Sequence, residues 1–166
     1  LLAEGSSSTN TENDRSSTIE QVQEANTYVP LELCGNPLYL HRSPEGDLRC
    51  FPNVCTHAWY PLVTEPGRGK AVTCGQHGRR MDCKGQFLSQ PSFTQMENFP
   101  RECDHLKEVS FHEWNKLGFA CLGQPRHSFG HIFEPINASL ANMPLHQLER
   151  VSQQDEVRIV DGNWKQ

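Results

Sequence analysis

From Tyr28 onward the apolar residues fall in short β-prone runs at 28–33, 37–41 and 48–52, with Gly35-Asn36 and Ser43-Pro44-Glu45-Gly46 between them as turns. That pattern predicts a meander of antiparallel strands. Further runs follow: 71–73, then 80–82 and 86–88 as a hairpin around Cys83-Lys84-Gly85, then 107–111 and 117–122. Pro66-Gly67-Arg68-Gly69 reads as a turn, and 90–100, with its prolines and isolated phenylalanines, as a loop packed over the sheet. Helix is sparse. Ser17-Thr18-Ile19-Glu20 offers a capping box for a short helix over 17–27, with Asn26 as its stop. A second short helix is expected over 137–150, interrupted at Pro144, and 157–160 alternates as a strand. Residues 1–16, rich in Ser, Thr, Asn and Glu, read as a flexible tail. The chain thus divides into that tail, the helix at 17–27, a mainly β domain at 28–136 and a linker at 137–166. No internal repeat is visible.

Two short motifs carry the chemistry. Cys55-Thr56-His57 and Cys74-Gly75-Gln76-His77 are separated by 16 residues. Each places a thiolate and an imidazole in one short segment, so each loop can give a sulfur to one metal and a nitrogen to another. Two such loops suit a [2Fe–2S] cluster with Cys55 and Cys74 on one iron and His57 and His77 on the other. A structural Cys₂His₂ zinc site would use the same four residues. Its common spacing, however, opens with two cysteines and closes with two histidines, and a single ion gains nothing from mixing them in each half. Neutral imidazoles in place of two thiolates raise the potential into roughly −150 to +300 mV, and reduction is expected to couple to protonation of the outer imidazole nitrogens.

The runs Asn53-Val54-Cys55-Thr56-His57, Pro61-Leu62-Val63, Cys74-Gly75-Gln76-His77-Gly78-Arg79-Arg80-Met81-Asp82 and Lys84-Gly85-Gln86-Phe87 resemble the Rieske domain of the aromatic-ring-hydroxylating and related non-haem iron oxygenases. The resemblance covers residues 29–123 and extends to Asn98-Phe99-Pro100, Leu106-Lys107-Glu108-Val109 and Gly118-Phe119-Ala120. It implies an antiparallel Rieske β-sandwich with two cluster-binding loops and a short N-terminal helix. Its function would be to pass electrons from a ferredoxin or reductase to a mononuclear non-haem Fe(II) in a catalytic domain of the same or a neighbouring subunit, in a homotrimeric or small-subunit-containing oxygenase. Asn163-Trp164-Lys165 resembles the entry into that catalytic domain, which is not in this sequence, so the chain is expected to be a fragment without the hydroxylating site. A stand-alone carrier ferredoxin is the alternative use of the same cluster.

Two positions depart from the family pattern. Many members have Arg-Gly after the first ligand histidine, where this chain has Ala58-Trp59. Many also have an aromatic residue in place of Arg79. Respiratory Rieske proteins carry an extra loop cysteine pair and a serine near the second histidine, and the corresponding positions here resemble Tyr60, Gln76 and Arg79. Without those donors to a cluster sulfur, a low potential is expected. Trp59, Tyr60 and Pro61 either shield the cluster or simply pack the loop.

Composition narrows the setting. The net charge of -5 and isoelectric point near 5.9 argue against nucleic acid as a partner. No apolar run reaches membrane-spanning length and no secretion pattern opens the chain, so a cytoplasmic protein without a membrane partner is expected. Of the seven cysteines, Cys34, Cys50, Cys83, Cys103 and Cys121 remain and are expected to be reduced and without a role. His127 and His131 have a helical metal spacing, but Pro125 and Gly130 argue against a helix there. His41, His105, His112 and His146 read as packing or surface residues, and the Asn137-Ala138-Ser139 sequon as accidental.

Overall fold

The computed structural model describes residues 19–91 and 97–148. The expected tail at 1–16, the capping-box serine and threonine, the middle of the loop over 90–100, the strand at 157–160 and the Asn-Trp-Lys run lie outside the described residues.

The most buried strand explains the architecture. Strand β1 (Thr27–Leu33) pairs antiparallel with β2 (Asn36–Arg42), and β2 pairs with β3 (Leu48–Pro52). In β2 four consecutive residues, Leu38 to His41, are buried. Alternating side chains of a strand point to opposite faces, so burial without alternation means that both faces are covered. On one face Leu38, Leu40, Val29, Leu31, Leu33 and Cys50 pack with Ile19 and Val22. On the other, Tyr39 and Phe51 pack with Val72, Met81, Leu106 and both motif cysteines.

A short strand β4 (Gly67–Arg68) completes this sheet in the order β3-β2-β1-β4. It lies where the sequence suggested only a turn, because two ladder positions, Thr27 opposite Arg68 and Tyr28 opposite Gly67, draw it onto β1. The second sheet is β5 (Ala71–Thr73), β6 (Arg80–Asp82) and β7 (Phe87–Ser89), in that order and antiparallel. The hairpin β8 (Ser110–Trp114) and β9 (Leu117–Cys121) covers the other face of the first sheet. Its neighbour Val109 donates to the Cys50 carbonyl at 2.9 Å, and Val109, Phe111 and Ala120 pack on the Val29–Leu40 side. The mainly β, antiparallel architecture expected from the sequence is therefore present.

The helices differ from expectation. In place of a helix over 17–27 there is one 3-10 turn, Glu20–Val22. The chain is committed to the sheet too early for more: Asn26 adopts φ 63, its N–H donates to the Arg42 carbonyl at 2.9 Å and its carbonyl accepts from Gly69 at 2.6 Å. The second helix, α1 (Phe129–Ser139), begins well before 137, and only a 3-10 turn, Leu145–Gln147, follows Pro144. Gly130 costs about 1 kcal/mol, which the Ser128 cap on the His131 N–H offsets. Aromatic packing does the rest. The rings of Phe129 and Phe133 stack at 3.9 Å, Phe133 meets Phe119 at 4.8 Å and Trp114 at 5.2 Å, and Trp114 Nε1 donates to Asn137 at 2.7 Å. Local propensity was overridden by a tertiary contact.

Gly85 fixes the β6–β7 hairpin against the core beneath the motif loops. It has φ 74, and a Cβ there would lie 2.7 Å from the Phe51 ring and 3.1 Å from Leu106. Replacing Gly85 with Ala is expected to cost about 2–4 kcal/mol, read as a lowered midpoint of chemical denaturation without a change in slope.

Candidate metal centre

Both motif loops are the same turn. In the first, the Cys55 N–H donates to the Tyr60 carbonyl at 2.8 Å and the Trp59 N–H to the Cys55 carbonyl at 3.0 Å. In the second, the Cys74 N–H donates to the Arg79 carbonyl at 2.8 Å and the Gly78 N–H to the Cys74 carbonyl at 3.0 Å. The fourth residue after each cysteine is left-handed, Trp59 at φ 59 and Gly78 at φ 70. Strands β3, β5 and β6 deliver these turns to one end of the domain.

The turns sort their side chains by element. The Cys55 and Cys74 side chains are buried in one core cluster, whereas His57 and His77 are exposed, with ring centroids 4.9 Å apart. Sulfur thus sits at the base and imidazole at the rim. Burial pushes the Cys55 thiol up, outweighing the His57 N–H, which favours the thiolate, so a bare thiolate there is disfavoured until a cation neutralises it. Among the described residues no three His, Cys, Asp or Glu side chains converge as a single ion requires. Two separate pairs, one of sulfur and one of nitrogen, fit a two-metal cluster better than one zinc ion.

Asn53 closes the first loop. Its Oδ1 accepts from the Leu62 and Val63 N–H groups at 3.0 and 2.8 Å, and its Nδ2 donates to the Val63 carbonyl at 2.6 Å. These backbone groups are buried and would otherwise be unsatisfied, at about 1–3 kcal/mol each. Gly78 holds the second loop close to its neighbour: a Cβ there would meet Pro91 at 3.2 Å. Tyr60 lies against Gly75, bridging the two loops. Trp59 is 85% exposed.

A buried guanidinium links the loops. Arg79 is 2% exposed. Its Nη1 donates to Thr56 Oγ1 in the first loop at 2.7 Å and to Asp104 Oδ1 at 3.1 Å, while its Nε donates to Gln90 Oε1 at 2.6 Å. The Phe87 and Phe99 rings flank it, with centroids 5.2 and 5.7 Å from Cζ. Thr56 Oγ1 donates onward to the Asp104 carbonyl at 3.0 Å, and Gln90 Nε2 stands 3.2 Å from His57 Nδ1. Burial alone would push the Asp104 carboxyl up. The Arg101 N–H and the Arg79 guanidinium outweigh burial and hold it below the usual carboxylate range. The first loop lacks an arginine at Ala58, yet a guanidinium reaches it from the second.

Of the four predicted motif residues, the two cysteines share the buried core cluster and the two histidines meet at the surface. Gln90 and Asp104 were not singled out from the sequence, and Asn53 and Arg79 entered only through the family comparison; buried polar residues carry no local signature. His131 lies in the first turn of α1 and His127 just before its Ser128 cap, with rings 5.3 Å apart, but no third ligand converges on them among the described residues. His41 is buried with Nε2 2.9 Å from the Gly69 carbonyl, His105 Nδ1 accepts from the Phe87 N–H at 3.0 Å, and His112 stacks on Phe129 at 4.6 Å. His146 lies outside the described side chains. All seven cysteines are free of disulfides, and burial pushes the Cys50 thiol up to about 12, which keeps it a neutral core residue. No helix among the described residues is long and apolar enough to cross a membrane.

Residues 15–100 match the family described as the Rieske [2Fe-2S] domain, and the chain belongs to that family. It is 29% identical over 147 residues to the large oxygenase component of the naphthalene 1,2-dioxygenase system of Pseudomonas aeruginosa, covering 83% of this chain and 32% of that protein. It is 28% identical over 95 residues to the carnitine monooxygenase oxygenase subunit of Escherichia coli K12, covering 57% of this chain and 25% of that one. The chain thus spans about a third or less of the length of these curated relatives. Its fold is shared with a quaternary ammonium Rieske monooxygenase at a TM-score of 0.65 and 18% identity, covering 74% of this chain and 36% of the other. A naphthalene 1,2-dioxygenase structure aligns at 0.64 with 24% identity, covering 74% and 28%.

The loop energetics give two expected outcomes. Trp59→Gly relieves a left-handed, exposed position and should stabilise the domain by roughly 1 kcal/mol in thermal unfolding. Asp104→Asn leaves Arg79 buried without its counter-charge and should cost about 3–5 kcal/mol. Because the Asp104 carboxyl ionises below its ordinary value, its contribution is complete above pH ~3.9 and is lost as pH falls through the depressed value. The Asn variant should therefore show a flatter acid limb in its stability–pH profile.

Proposed function

We propose that Cys55 and Cys74 hold one iron and His57 and His77 the other iron of a low-potential Rieske cluster, and that the domain is the electron inlet of a Rieske non-haem iron oxygenase. The sorting of buried thiols against thiols and exposed imidazoles against imidazoles, on two identical turns, carries this reading. When bound, the cluster accepts and releases one electron at a time. The chain's own residues set its surroundings: the cysteines anchor it in the Tyr39–Met81 core, and the histidines keep the other edge at the surface, where an electron can enter and leave.

The electron donor in this reading is a ferredoxin or reductase. The acceptor is a mononuclear non-haem Fe(II) in a catalytic domain of the same or a neighbouring subunit, plausible partners for a chain whose relatives are oxygenase components. The parent would be a homotrimer working in the cytoplasm. Hydroxylation itself would take place in that catalytic domain.

The purified protein should be red-brown, contain two irons per chain and give a rhombic EPR signal after reduction. Cys55→Ser and Cys74→Ser should abolish the signal, and His57→Cys or His77→Cys should move any surviving midpoint to more negative values. The parent midpoint should fall toward the negative end of the range of roughly −150 to +300 mV. Stoichiometric zinc in place of iron, or an unaltered spectrum in the serine variants, would overturn the assignment.

A further inference from the structure

The two motif turns share a backbone and differ at one telling position. In the second turn the left-handed residue is Gly78, and in the first it is Trp59. Glycine adopts that conformation without steric cost, whereas a residue with a side chain is strained there. The strain returns little packing, because Trp59 is 85% exposed. Strain kept without a structural gain is characteristic of functional positions. Tyr60, 43% exposed, continues the ridge and lies against Gly75 in the second turn. An aromatic ridge thus crosses from one turn to the other beside the exposed His57 and His77.

Charge sets this end apart from the rest of an acidic chain. Residues 57–61 and 75–77 are all exposed, and none is Asp or Glu. Glu65, the nearest carboxylate in sequence to the first turn, lies beyond the buried Leu62 and Val63. Arg80 directly follows the second turn and is exposed. The segment whose Asp104 carbonyl accepts from Thr56 in the first turn borders a recess lined by Arg101, Glu102, Cys103 and Lys107, two cations against one anion. The chain as a whole carries -5. Among the described residues, Trp59 and Tyr60 are the large apolar side chains exposed in the motif turns. So small an apolar area with basic neighbours suits a transient electron-transfer contact, which buries less than a permanent subunit interface.

We propose that the Trp59–Tyr60 ridge is the docking surface for an acidic electron-donor protein, with Trp59 as its anchor. This rests on the cluster assignment above. Trp and Tyr are the residues that dominate binding once a partner covers them, and the basic neighbours steer an acidic partner onto them. A partner seated on the ridge touches a residue two positions from His57. Its reduced centre gives up one electron there and is oxidised, the cluster held by the motif residues is reduced, and no bond forms or breaks.

The probe is a reduced plant-type [2Fe–2S] ferredoxin of net negative charge, whose potential lies below the Rieske range. Stopped-flow mixing with the cluster-loaded protein should give a second-order rate constant that falls as salt rises. Trp59→Gly should lower that constant, and the calorimetric affinity for the oxidised ferredoxin, about tenfold each. The same variant should be more stable to heat and keep the parent's iron content, midpoint and rate of reduction by dithionite. Trp59→Phe should recover most of the affinity, and Arg80→Glu should slow the reaction and flatten its salt dependence. Parent-like rate and affinity in iron-replete Trp59→Gly, or a parent rate that rises with salt, would overturn the proposal and leave the cluster assignment standing. Self-association lost in Trp59→Gly while the ferredoxin rate is kept would place a second copy on the ridge and also overturn it. A parent protein without an iron–sulfur signal would overturn the cluster assignment as well.

Discussion

A guanidinium that is almost wholly removed from solvent needs its charge and its donors answered by protein, and in this domain the answers come from three separate segments. Arg79 leaves the second loop, meets Thr56 in the first, Gln90 after β7 and Asp104 ahead of β8. Any displacement of one loop relative to the other would break a charge-assisted bond in a place where water cannot compensate. The relative position of the two motif loops is therefore a condition of keeping that charge satisfied. The hydrophobic core would fix it less sharply, because apolar packing is tolerant of small slides.

The double-faced first sheet supplies the complementary constraint. Tyr39 and Phe51 face the loops while Leu38, Leu40 and Cys50 face the β8–β9 hairpin, so the wall behind the centre is itself backed by a second core. Such a strand has no soft side into which it can relax. Rigidity behind the thiols and exposure at the imidazoles together give a firm base beneath an accessible rim, a useful arrangement where a group must be held still while exchanging electrons with a partner.

Much of this was legible in the sequence because it is local. Turn residues bracketed the β1–β3 and β6–β7 runs, and paired Cys and His within two short segments named the chemistry. What was not legible is non-local. Arg79 and Asp104 lie 25 residues apart, and buried polar residues look like surface ones in a linear pattern. The start of α1 was missed because Gly130 and Pro125 were weighed and the stacking of Phe129 and Phe133 on the distant hairpin was not. The N-terminal helix failed for the opposite reason: a local capping signature was weighed, and the engagement of Asn26 with Arg42 and Gly69 was not.

The twin turns also bear on how the centre is filled. Each is closed by its own pair of main-chain hydrogen bonds, and the first is further clasped by Asn53, so the loop shape is held by protein partners alone. Part of the entropy of ordering these loops is therefore met by the chain's own hydrogen bonds, in contrast to small metal domains whose ligands must be gathered from an unfolded chain.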